Sequence, residues 1–191
     1  MHALQKMTAI FSLAVVASSA QDRTATWSQE PDSFRGLKFG SSEAEEKHNF
    51  GGVGRCIDVP GELRIGEVGP RGCGTQFTIG DTSVNGFLRL ANDKFVQGMF
   101  KFDSKEFEKV RDTFIERYGR PQVTSNSEVK NRMGATFTNQ QLRWHGQLVQ
   151  ITLAKYTDQL TESMLVIGLS EFMESEQKKE ENERKRAAEK L

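Results

Sequence analysis

The sequence predicts an α+β fold, built as two consecutive helix-then-antiparallel-strands units sharing one core and followed by a charged helical tail. Three observations predict it. Apolar residues at spacings of three and four mark a clear amphipathic helix between residues 107 and 118. Short runs of apolar or alternating residues, bounded by Gly, Asn and Asp, mark the strands. The order is helix then strands, twice, which favours an antiparallel sheet. An internal repeat supports the division: Lys38-Phe39-Gly40-Ser41-Ser42-Glu43-Ala44-Glu45 returns as Lys101-Phe102-Asp103-Ser104-Lys105-Glu106-Phe107-Glu108. It splits a domain over residues 36–170 into about 36–100 and 101–170.

Residues 1–20 stand apart from that domain. Lys6 gives a positive start, Met7 to Ala17 is an uncharged and mostly apolar run, and Ser18-Ser19-Ala20 offers a cleavage point before Gln21. This is the order of a secretory signal peptide, too short for a retained membrane span. Export to the periplasm or the extracellular space is the expectation. Residues 21–35 are polar, contain Pro31, and read as a flexible lead-in.

The first helix is expected over Ser42 to Phe50, short and with little apolar face. Strands are expected at Cys56–Val59, Leu63–Val68, Thr75–Ile79, Gly86–Ala91 and Phe95–Phe102, with Asn92-Asp93 as a turn. Both faces of that last hairpin carry apolar groups. Asp103 and Glu106 then form a capping box. Phe107, Val110, Phe114 and Tyr118 make the buried stripe of the second helix, which Gly119 and Pro121 end. Further strands are expected at Ala135–Trp144, Gln147–Tyr156 and Ser163–Ser170. The run Met164-Leu165-Val166-Ile167 is apolar on both faces, as in a central strand covered on both sides.

A two-residue turn at His145-Gly146 would pair Trp144 with Gln147, Leu142 with Val149, Gln140 with Ile151 and Thr138 with Leu153. The other face of this hairpin then carries Phe137, Asn139, Gln141, Arg143, Gln150, Thr152 and Tyr156. Aromatics interleaved with Asn, Gln, Thr and Arg make a surface suited to recognition, and these residues are the candidate binding face. Residues 171–191 hold 7 acidic and 6 basic side chains. Glu174/Lys178, Glu180/Arg184 and Glu181/Lys185 at i,i+4 support a solvated helix, without the stripe of a coiled coil.

Composition excludes several classes. The 26 basic and 26 acidic residues cancel, and this neutrality argues against nucleic acid as the main partner. Nothing after the signal approaches a transmembrane segment. Cys56 and Cys73, an isolated pair in an exported chain, are expected to form a disulfide worth about 3 kcal/mol in the loop-entropy model. A metal site using both thiols with His48 fits no zinc spacing. His48 and His145 have no triad-like neighbours, the glycines of Gly51-Gly52-Val53-Gly54 follow a helix rather than a strand, and no catalytic set, metal or cofactor is implied.

The helix-then-strands plan, the Gly36-Leu37-Lys38-Phe39-Gly40 entry and the Arg117-Tyr118-Gly119-Arg120-Pro121 helix exit resemble the β-lactamase-inhibitor-protein-like group. Outer-membrane assembly lipoproteins of the SmpA/OmlA type share that architecture. The resemblance covers about Gly36 to Ser170 and implies an exported binding module that uses a sheet surface and has no catalysis. The sequence departs from the lipoproteins in lacking their anchor cysteine and in a first helix without their usual apolar content. The expected function is therefore a non-enzymatic module binding a protein or cell-envelope component. The alternative is a small secreted or periplasmic hydrolase using carboxylates.

Overall fold

The computed structural model describes residues 27–42, 56–58 and 71–189. Among them the chain forms β1 (Ser33–Phe34), β2 (Leu37–Lys38), β3 (Cys56–Asp58), β4 (Arg71–Ile79), β5 (Thr82–Ala91) and β6 (Lys94–Asp103). Helix α1 (Phe107–Tyr118) follows, then β7 (Val123–Lys130), β8 (Thr136–His145), β9 (Val149–Ala154), β10 (Glu162–Leu169) and helix α2 (Ser170–Ala188). The last eight strands make one sheet in the order β3-β4-β5-β6-β10-β9-β8-β7. Every neighbouring pair in it is antiparallel. Two meanders, β3 to β6 and β7 to β10, thus meet at the β6–β10 seam. The expected signal segment, the helix over Ser42–Phe50 and the strand Leu63–Val68 lie outside the described residues.

One face of the sheet, called here the front, is sealed. Val84, Leu88, Phe100, Leu142, Trp144, Ile151, Leu153, Leu165 and Ile167 point to it and are buried. Helix α1 lies on this face through Phe107, Val110, Phe114 and Tyr118, the stripe its spacing predicts. Phe100 needs unusual room. A Cβ on either Gly86 or Gly98 would run into its ring, so these glycines are set by close approach rather than by a turn.

The start of α1 differs from the expected box. A 3₁₀ turn over Ser104–Glu106 precedes it, and the Asp103 carboxylate accepts from the Lys105 N–H at 2.9 Å. Glu106 instead faces Lys109 at 2.8 Å. At the other end Gly119 breaks the helix at φ 76°. The Trp27 indole donates to the Tyr118 carbonyl at 2.6 Å and the Trp144 indole to the Gly119 carbonyl at 2.8 Å. Both tryptophans therefore satisfy carbonyls that a helix end leaves without intrahelical partners.

Two side chains in the described part of the lead-in are anchored against the domain. Trp27 and Phe34 are buried, and Phe34 stacks on Phe100 with centroids 5.4 Å apart. The Glu30 carboxylate accepts from the N–H groups of Gln147, Leu148 and Val149 at 3.2, 2.5 and 2.7 Å. This anchor shapes the β8–β9 connection, and the expected two-residue turn does not form. Leu142 pairs with Leu153, Trp144 with Ile151 and Arg143 with Thr152, an offset of four from the expected register. An even offset leaves each side chain on its expected face.

Strand β7 is an addition: nothing in its polar sequence had marked it. At Asn92-Asp93 the turn is as expected, both residues having positive φ (51° and 58°) as a type I′ hairpin requires. Cys56 and Cys73 are bonded, directly opposite one another in the β3–β4 register. The tail begins docked, since Phe172 and Met173 are buried. Beyond them α2 is polar, and Glu181 meets Lys185 at 2.7 Å.

Candidate binding face

The antiparallel register builds the back of the sheet as rows that cross five strands. One row runs His145, Gln150, Gly168, Gln97, Arg89, from β8 through β9, β10 and β6 to β5. The next runs Arg143, Thr152, Val166, Met99, Phe87, and a third Gln141, Ala154, Met164, Lys101, Asn85.

Helix α2 covers the first row. Its start is fixed by the Ser170 N–H on the Leu148 carbonyl at 2.8 Å and the Ser170 hydroxyl on the Gly146 carbonyl at 2.9 Å. Arg89 is held between Gln97 (2.9 Å) and Glu176 (3.1 Å), with its guanidinium 4.9 Å from the Phe172 ring centre. Gln150 is buried in the same row.

The second row stays open. Arg143 is exposed, Thr152, Val166 and Met99 are half-buried, and Phe87 keeps 38% of its surface in solvent. Of the residues singled out from the sequence, Phe137, Asn139, Gln141, Arg143, Thr152 and Tyr156 lie on this open part of the back face, while Gln150 lies under α2. Phe137 is 36% exposed and meets Tyr156 edge-to-face at 6.3 Å. Asn139 has a structural use: it donates to the Tyr156 carbonyl at 3.1 Å and accepts from the Tyr156 N–H at 2.9 Å, locking the open end of β8 to β9.

Phe87, Met99, Met164 and Val166 extend this surface and were not singled out as site residues. Their signal was present in the apolar groups on both faces of the β5–β6 hairpin and in the run Met164–Ile167. Expected cover on both sides of that run is corrected: Leu165 and Ile167 are buried, whereas Met164 and Val166 are half-buried.

Two grooves flank the face. One of about 660 Å³ gathers Asn85, Lys101, Asp103 and Glu162. Lys101 and Glu162 pair at 2.8 Å, and that hydrogen bond holds the lysine above its usual value. Asp103 is engaged at the start of α1. The other, about 590 Å³, lies between α2 and the β5–β6 turn and includes Glu176, the carboxylate that holds Arg89. His145 has Glu174 at 3.9 Å; His48 lies outside the described residues. Among the described residues no three His, Cys, Asp or Glu side chains cluster as a metal site would require.

Set against known proteins, the chain matches no family model, no curated protein and no solved structure.

Proposed function

We propose that the protein is an exported, non-enzymatic binding module that presents the back of its sheet to a protein or cell-envelope component. The open row from Arg143 to Phe87, continued by Phe137 and Tyr156, carries the reading. It offers apolar and aromatic anchors among polar groups on a rigid surface, as recognition faces do. The Cys56–Cys73 disulfide supports an oxidising compartment, and among the described residues no helix is long and apolar enough to cross a membrane. The residues 1–20 supply the export signal in this reading. The resemblance to the β-lactamase-inhibitor-protein-like group points the same way.

Affinity capture from the native extracellular or envelope fraction tests it. Wild-type protein retains a partner, and Phe87→Ala with Phe137→Ala weakens retention at least tenfold while the fold persists. A partner held equally by the double variant would place recognition elsewhere. N-terminal sequencing of the exported protein should begin near Gln21; an intact Met1 in that fraction contradicts export by cleavage.

A further inference from the structure

The two edges of the sheet are built differently. At one end β3 is a three-residue strand fastened to β4 through Cys56–Cys73. At the other, β7 runs for eight residues in unbroken register with β8, from Val123↔Arg143 to Lys130↔Thr136. Among the described residues no strand lies beyond it. Natural edge strands are usually blunted by proline, a bulge, brevity or charges along their length. Val123–Lys130 has no proline and no register shift, and its two charges, Glu128 and Lys130, stand in its last three residues.

Nor does β7 gain much from the core. Every side chain in it is exposed except the half-buried Val129. Ordering a strand costs conformational entropy that burial normally offsets. Among the described residues only the ladder to β8 offsets it, and no other described strand pairs with the outward backbone groups.

We infer that β7 is a self-pairing edge, joining antiparallel to β7 of a second copy so that two sheets become one continuous sheet. A two-fold axis perpendicular to the sheet keeps faces matched only when residues of equal parity meet. With the axis at Asn126, Val123 meets Val129, Thr124 meets Glu128, Ser125 meets Ser127, and Asn126 meets its own copy. No like charges face each other in this register. Val123, 49% exposed in the single chain, gains an apolar partner on the back face. The pairing is independent of the partner proposed for the open face, although it would set two such faces side by side.

Sedimentation velocity of the purified protein, with paired cysteine variants, decides the matter. Between about 1 and about 100 µM the mass should rise from monomer to dimer, since self-association follows concentration. Asn126→Lys, which sets two ammonium groups across the axis, should hold the protein at monomer mass with its circular dichroism unchanged. Without reductant, Asn126→Cys should cross-link at least tenfold more than Ser127→Cys. Residues facing on the axis have Cα atoms about 4.5–5.5 Å apart, within disulfide reach, whereas Ser127 and its copy would be diagonal at about 7–8 Å. Monomer mass throughout would overturn the inference, including the case in which β7 instead takes a strand from a different protein. So would a dimer that survives Asn126→Lys, or equal cross-linking at both positions.

Discussion

The front and back of the sheet are made by the same strands yet meet opposite fates. On the front, Trp144, Phe100, Ile151 and Leu165 are sealed by α1 and by the aromatic segment from Trp27 to Phe39. On the back, α2 covers one row with a small apolar cluster of Ala91, Val96 and Phe172, and leaves the row from Arg143 to Phe87 partly open. Period-2 alternation lets these faces vary independently: stability is concentrated on one, and the other is free to carry recognition. Helix ends show the same asymmetry. Two indoles and Gly119 finish α1, whereas α2 starts without a side-chain cap and projects a polar second half.

The largest effect should come from the front. Trp144→Ala removes a fully buried indole and its bond to the Gly119 carbonyl, and should cost about 3–5 kcal/mol in denaturant unfolding. A loss under about 1 kcal/mol would mean that the front is not the core. Next in size, the Cys56→Ser/Cys73→Ser pair should cost about 3 kcal/mol without altering partner capture, because Cys73 stands opposite Leu88 on the buried front, the face away from Phe87. Equal stability with and without the bridge would contradict that estimate.

Much of this division was legible in the sequence. The α1 stripe, the disulfide, the Asn92-Asp93 turn and the faces of β8 and β9 all follow from spacing and residue type. β7 did not, because a strand with neither face buried has no alternation to read. The contacts of Trp27, Glu30 and Phe34 were hidden for a related reason: these residues stand among polar ones, and their partners lie far along the chain. Glu30 reaches a loop 117 residues away, a contact that local hairpin rules do not contain, and the observed register is offset by four. The wider back face was hidden because strand order is not local; Met99 and Val166 become neighbours only when β6 meets β10.

Glu30→Gln should therefore cost about 1 kcal/mol, with faster amide exchange confined to Gln147–Val149. Unchanged exchange there would remove Glu30 as the loop's anchor. The smallest effect concerns pH. Burial raises the Tyr118 hydroxyl above the ordinary tyrosine value, so the unfolded chain ionises first. Its contribution is complete below about pH 10 and is lost as pH rises through the folded value. Tyr118→Phe should flatten that alkaline decline; an unaltered slope would assign it to other groups.

The division between faces is tested most directly by thermal melting of a Phe87→Ala/Phe137→Ala/Tyr156→Ala triple variant beside Trp144→Ala. These three side chains are exposed or half-buried on the back. The triple variant should melt within about 4 °C of wild type, equivalent to about 1 kcal/mol for a domain of this size. Trp144→Ala should fall by several times that. A triple variant that melts as early as Trp144→Ala would show the back face to be core, and the proposed binding surface would fail with it.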